Sequence, residues 1–332
     1  MAGARALPAA ARGRRFADLL DVVIVRLCAV SVDLDEIPNY YGIHGLREPA
    51  GPERSLVYDV ALQRLGDLAT ELAIPLTLFA IGGDLARPEA AEALADAHTR
   101  GFEIANHSLD HRYDLVRLGK VEVRRQVAEG ARAIERATGA APVGFRAPGY
   151  TITDEVFDVL ADLGVLYDSS VFPCPAYWAA KAAAIALIAA RGRRSRSIVD
   201  TPAVLTAPTR PYRVGRPYWR RGQGPLELPV QVTRGARLPF IGTYVTLGGP
   251  RVARLLARMC VGEPLVNLEL HGIDVLDAAD GLEALRPHQP DVRVPVARKL
   301  DALRASVGIL REAGYEFTTL AEAARRFEAT AS

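Results

Sequence analysis

PLTLFAIGGDLARPEAAEALADAHTRGFEIANHSLDH, residues 75–111, contains one full repeat of the chain's architecture. Pro75–Gly82 is an apolar run bounded by proline and glycine and reads as a strand. Arg87–Thr99, rich in alanine and glutamate, reads as a helix, and Phe102–Asn106 reads as the next strand. His107 and His111 follow that strand directly. On a helical turn, residues i and i+4 project from one side, a spacing at which two imidazoles can reach one metal ion. An isolated HxxxH is equally compatible with a polar turn whose histidines cap a helix or satisfy backbone groups. A hydrolytic metal site needs a third protein ligand and a position left open for water.

The alternation extends in both directions. VRLCAVSVD (25–33) reads as a first strand, with a helical pattern over Ser55–Leu72. After the histidines come a helix near Val116–Thr138, a strand near Pro142–Arg146, a helix near Asp154–Leu163 and a strand at Val165–Asp168. A less regular middle leads to a strand ELPVQV (227–232), a helix at Pro250–Met259 and a strand PLVNLELH (264–271). A helix around Val294–Ala313 and a strand–helix pair in YEFTTLAEAARRF (315–327) complete the order. Seven or eight such units predict an α/β chain forming a (β/α) barrel, with its chemistry at the carboxyl ends of the strands.

Those strand ends form a chemically coherent set. SVDLDE (31–36) supplies Asp33 and Asp35, FRAPGY (145–150) supplies Arg146, YDSS (167–170) supplies Asp168, and LELH (268–271) supplies His271. Asp35 can be the missing carboxylate ligand, Asp33 a base, Arg146 the cation that holds that base ionised, and His271 an acid. Each residue also has a plainer role: the aspartates as loop solvation and a helix cap, Arg146 as a structural ion pair, Asp168 as a strand end, His271 as a core histidine. His44, in NYYGIHG (39–45), suits either a substrate cleft or a structural loop, and His98 and His288 read as surface residues.

With 332 residues, 49% of them apolar, the chain can bury a sizeable core. The net charge is only +2, and the 41 basic residues are almost all arginine, so the arginines are not read as a nucleic-acid surface. Cys28, Cys174 and Cys260 are too few and too scattered for a disulfide framework or a cysteine zinc site, which fits a reducing compartment. No run approaches the length of a membrane span.

TLFAIG (77–82), GFEIANHSLDHR (101–112), GFRAPGY (144–150), GVLYDSSVFP (164–173) and LREAGYEFTTLAEA (310–323) resemble, in this order, the motifs of the polysaccharide deacetylases. This is the NodB-homology, carbohydrate esterase family of chitooligosaccharide and peptidoglycan deacetylases. The resemblance spans about residues 26–327 and implies a distorted (β/α) barrel. It also implies one divalent metal, commonly zinc, on one aspartate and two histidines, which map onto Asp35, His107 and His111. The activity implied is removal of an N-acyl group, most simply acetyl, from an amino sugar in a glycan or glycolipid. Leu34 separates Asp33 from Asp35 where many members have adjacent aspartates. That DxD spacing resembles a branch including small-amide hydrolases, so a small amide or an N-formyl sugar is the alternative substrate, and a non-catalytic carbohydrate-binding barrel is a third reading. Gly149 stands where many relatives have an aromatic residue, with Tyr150 next. The oxyanion-binding N–H is assigned to Gly149, a substrate contact to Tyr150, and the partner of His271 to Asp168.

Two segments fall outside this pattern. YWAAKAAAIALIAARGRRSR (177–196) is an apolar helix ending in a basic cluster, inside an insertion at about 173–225. It suits either a buried packing helix or peripheral contact with anionic lipid headgroups beside the active site. The first 24 residues read as a mobile or weakly helical extension of a barrel spanning 25–330, and Val25 could itself be an alternative start. The rival reading is a short anchor using Phe16, Leu19 and Leu20 with Arg12, Arg14 and Arg15. Asp21 and Arg26 interrupt the apolar stretch, which argues against a signal peptide, although secretion stays open. A cytoplasmic protein, with peripheral contact at the inner membrane as a variant, is the expectation.

Overall fold

The computed structural model describes residues 26–331, so the expectations for residues 1–24 lie outside the described residues. The order is β1 (Arg26–Asp33), α1 (Ile37–Ile43), α2 (Leu62–Leu72), β2 (Leu76–Ala80), α3 (Pro88–Thr99), β3 (Glu103–Asn106), α4 (Lys120–Thr138) and β4 (Gly144–Phe145). There follow α5 (Asp154–Asp162), β5 (Tyr167–Asp168), α6 (Pro175–Ala190), β6 (Tyr212–Val214), β7 (Arg221–Glu227) and α7 (Gly242–Cys260). The last elements are β8 (Leu265–His271), α8 (Val296–Glu312), β9 (Tyr315–Phe317) and α9 (Leu320–Ala331).

The strands lie in the order β6-β7-β5-β4-β3-β2-β1-β8, with β9 beside the start of β1. Among the described strands only the β6–β7 pair is antiparallel. This is a sheet curled with helices into a distorted (β/α) barrel. The period of two along a strand sorts side chains between its faces. On β1, Cys28, Val30 and Val32 join the core beneath the helices, whereas Leu27 and Ala29 join a second apolar cluster with Phe79, Tyr167 and Leu265. On that second face the residues turn polar toward the carboxyl end, through Ser31 to Asp33. On β8 the same parity runs Leu265, Asn267, Glu269, His271, in register with Leu27, Ala29, Ser31 and Asp33. Leu78 and Leu94 are fully buried in the outer core; burying each contributes about 1.5–3 kcal/mol.

Two expected elements differ. Of the strand expected over residues 227–232 only Glu227 is one: β7 ends there, and the segment after it crosses the gap between β7 and β8. There the side chain of Asn267 donates to the carbonyls of Leu228 and Pro229, both at 3.2 Å, and Gln231 N–H donates to Asn267 O at 3.2 Å. On the segment's other side Leu228 and Val230 N–H donate to the carbonyls of Asp168 and Val171 at 2.8 and 3.0 Å, while Pro229 has no N–H to add. The helix expected from Pro250 starts at Gly242 and is broken at Gly249 (φ 69°), the conformation glycine adopts without cost. Residues 173–225, read as an insertion, return to the sheet through the β6–β7 pair, with Leu226 and Glu227 in register with Tyr167 and Asp168.

Candidate active site

Asp33 and Asp35 leave β1 at its carboxyl end, next to the loop after β3 that bears His107 and His111. That loop is not helical, contrary to the simplest reading of the HxxxH spacing: Ser108 (φ 68°) and His111 (φ 47°) occupy the left-handed region. The conformation is held from several sides. Asn106 Oδ1 accepts from Ser108 N–H at 3.0 Å, and Gly82 and Gly83 N–H donate to the carbonyls of Ser108 and Leu109. Helix α4 presses on the loop at Gly130, where a Cβ would stand 2.7 Å from Asn106 Oδ1.

Asp35 Oδ1 lies 3.3 Å from His107 Nε2 and 3.1 Å from His111 Nε2, and the two Nε2 atoms are 3.2 Å apart. All three side chains are buried. His107 Nδ1 donates to Arg146 O at 2.8 Å, and His111 Nδ1 donates to Asn39 Oδ1 at 3.2 Å. Both protons are therefore on Nδ1, and two Nε2 lone pairs face a carboxylate oxygen that has no hydrogen-bond donor. Three lone pairs converging out of water are costly unless a cation sits among them. One carboxylate and two imidazoles, each imidazole anchored through its far nitrogen, fit a divalent metal and match the donor set of catalytic zinc sites. Burial would raise the Asp35 carboxyl; positive charge at the His111 and His107 rings, the place a bound cation would take, instead holds it well below its usual value. Burial lowers His111.

The neighbouring groups are charge-balanced by comparison. Arg146, fully buried, donates from Nη1 to Asp33 Oδ1 at 2.6 Å, from Nη2 to the hydroxyls of Ser31 and Ser169, and from Nε to Ser169 O. Its guanidinium also lies 4.0 Å from the centre of the Phe79 ring. Asp33 Oδ2, not engaged by the arginine, stands 3.7 Å from His107 Nε2. His271 Nδ1 lies 2.9 Å from Glu269 Oε1, and its Nε2 lies 3.5 Å from the Tyr150 hydroxyl. Burial would lower His271; the adjacent Glu269 carboxylate, with Asp33 and Asp35 farther off, instead raises it well above its usual value. An oxygen of Asp33, one of Glu269 and a nitrogen of His271 lie within 4.8 Å of one another. Arg146 faces the first of those carboxylates and the His271 imidazole the second.

Asp168 is not the partner of His271. Its carboxyl accepts from Ser170 Oγ at 2.7 Å and Ser170 N–H at 3.0 Å, and β5–β7 pairing puts it beside Glu227. Burial raises it to about 7. Ser170 Oγ in turn accepts from Ala147 N–H at 2.8 Å, so Asp168 braces the loop bearing Gly149 and Tyr150. Glu269, which takes the orienting place, was missed in the sequence although NLELH puts Asn267, Glu269 and His271 on one strand face. In the 148–150 turn, Tyr150 N–H donates to Ala147 O, Gly149 N–H has no hydrogen-bond acceptor among the described residues, and Gly149 O accepts from Lys181 Nζ at 2.7 Å. His44 is a structural loop residue, not a cleft residue: its Nε2 lies 2.8 Å from Gln289 Oε1 and its ring stacks near His288 at 5.8 Å.

A cleft of about 700 Å³ opens on His111, between Asn39, Arg112, Tyr113 and Arg117 on one side and residues 194–198 on the other. Residues 57–167 match the family model described as polysaccharide deacetylase. That span includes His107, His111 and Arg146, while Asp33, Asp35 and His271 lie outside it. The chain is 36% identical over 101 residues to a chitooligosaccharide deacetylase from Sinorhizobium fredii, covering 30% of this chain and 45% of that protein. It is 27% identical over 148 residues to a peptidoglycan deacetylase from Helicobacter pylori, covering 44% and 49%. The matched region thus spans about half the length of these curated relatives. A crystal structure assigned to a polysaccharide deacetylase from Mycobacterium smegmatis superposes with a TM-score of 0.58 at 19% identity, over 92% of this chain and 91% of that one.

Proposed function

We propose that this chain, a member of the polysaccharide deacetylase family, is a metal-dependent hydrolase that removes an N-acyl group, most simply acetyl, from an amino sugar in a glycan or glycolipid. The observation that supports this reading most is the convergence of Asp35 Oδ1 and two Nε2 lone pairs beside an arginine-held aspartate and a carboxylate-held histidine.

A divalent cation, zinc in the simplest case, held by Asp35, His107 and His111 would polarise the acyl carbonyl and lower the pKa of water to about 7. The chain's own residues supply the rest. Arg146 pins Asp33 through Oδ1, so Oδ2 is the oxygen that accepts the proton of the attacking water. Gly149 N–H is assigned to the oxygen that gains charge; losing one such donor costs a few kcal/mol of barrier. His271, kept protonated through Nδ1 by Glu269, delivers the Nε2 proton to the departing amine. The Tyr150 hydroxyl, 3.5 Å from that nitrogen, positions the leaving group. The cleft beside His111 is in the size range of small-ligand sites and would hold the sugar.

The test is acyl release by purified protein from N-acetylated oligosaccharides, lipid-linked amino sugars, N-formyl sugars and small amides, before and after chelation and readdition of zinc. Release of acetate from an amino sugar, lost on chelation and restored by metal, is expected. Turnover confined to small amides would replace the substrate. Sugar binding without release from any substrate would favour a carbohydrate-binding barrel.

A further inference from the structure

Helix α6 is apolar apart from Lys181 on its inner side, yet lies at the surface. Ile188 is its one buried residue, and ten of its sixteen residues are exposed: Pro175, Leu187 and eight alanines. A helix apolar all round is ordinarily enclosed by protein or lipid. Its inner side is already occupied by the active-site loop: the Tyr177 ring packs 4.8 Å from Phe172 and 5.8 Å from Tyr150, and Lys181 donates to Gly149 O. The outer side meets no polar partner among the described residues, with Leu187 51% exposed.

The chain runs from this helix straight into a basic segment. Arg191, Arg193 and Arg194 make no ion pair among the described residues, whereas Arg196 pairs with Glu48 at 2.8 Å. Arg194 to Ser197 then form one wall of the cleft that opens on His111. An uncharged helix face adjoining cations without counter-ions is complementary to an anionic bilayer surface, whose headgroups take the arginines while alanine and leucine enter the acyl boundary. A second copy of this face would bring those arginines toward each other instead. No described helix is long and apolar enough to cross a membrane, so the contact is peripheral.

We infer that the outer face of α6 and Arg191–Arg194 dock the protein on an anionic lipid surface, presenting the cleft to amino sugars linked to lipid. The inference rests on the amino-sugar reading for its substrate and only on the helix and its arginines for its docking.

The experiment is flotation of the full chain with vesicles of phosphatidylcholine alone or with one-third phosphatidylglycerol. Docking predicts binding to the anionic vesicles only, weakened by salt. Removing two arginines in Arg191→Gln/Arg193→Gln should weaken it roughly 30-fold, and Ala183→Glu/Leu187→Glu should abolish it. Neither pair lies among the residues assigned to catalysis, so hydrolysis of soluble N-acetylated oligosaccharides should persist in both variants and serves as the folding control. Wild-type protein that stays unbound, or an Ala183→Glu/Leu187→Glu variant that binds as well as wild type, overturns the inference. So does a dimer that Ala183→Glu/Leu187→Glu splits into monomers, because a second copy then covers the face. Vesicle binding without hydrolysis of any amino sugar would uphold docking while removing the functional reading.

Discussion

Replacing Arg146 with methionine removes the counter-ion of a buried carboxylate while roughly conserving side-chain length. Asp33 would lose its 2.6 Å partner in a position where it is 2% exposed. Breaking a buried pair from one side costs about 3–5 kcal/mol, and loss of the cation over Phe79 adds about 1 kcal/mol. The donors to Ser31, Ser169 Oγ and Ser169 O go as well, so about 4–6 kcal/mol is expected, against a total stability of about 5–15 kcal/mol for a typical domain. At a slope of about 3 kcal/mol per M urea, the unfolding midpoint should fall by about 1.5 M. Most of this loss is attributed to the orphaned charge, so adding Asp33→Asn to Arg146→Met should return about 2–3 kcal/mol. Urea unfolding of wild type, both single variants and the double variant gives the coupling directly. A double variant no more stable than Arg146→Met would refute the pairing, and an Arg146→Met variant within 1 kcal/mol of wild type would refute the burial argument.

Three further outcomes are expected. The purified protein should hold one divalent ion per chain by elemental analysis, and His107→Ala should lose most of it; stoichiometric metal in that variant would remove His107 from the ligand set. Asp33→Asn should keep the metal and lose turnover by roughly 100-fold or more, whereas an emptied site would exchange the roles of Asp33 and Asp35. His271 is raised well above its usual value, so the acid should be present at low and neutral pH and be lost as pH rises through that raised value. Its contribution to stability has the same sign: fully present below the unfolded value near 6.5, lost on passing the folded one. Glu269→Gln should move the basic limb of the pH–rate profile downward and Asp168→Asn should leave it in place, and the opposite pattern would restore Asp168 as the partner.

Local sequence determined the repeat and most of the chemistry. Apolar runs of strand length, each ending in a polar residue, suffice to put Asp33, Asp35, His107, His111, Arg146 and His271 at the same ends of neighbouring parallel strands, because side-chain parity and strand direction are local properties. Which of these groups touch was decided by tertiary structure. The partner of His271 follows from the parity of β8 and from the β5–β7 register that places Asp168 beside Glu227, a pairing across 59 residues of sequence that no local pattern encodes. The geometry of the candidate metal site depends on two left-handed residues in the 107–111 loop, held by contacts from Asn106, Gly82 and Gly130 rather than by helical propensity. The barrel's seam is closed by Asn267 and Gln231 side chains, where the sequence suggested a strand. Helix α6 shows the division most plainly: its composition predicts a helix, but only the packing shows that Tyr177 and Lys181 face the active-site loop and that the alanines are left in water. Propensity and periodicity act within a few residues, whereas burial is a property of the whole chain.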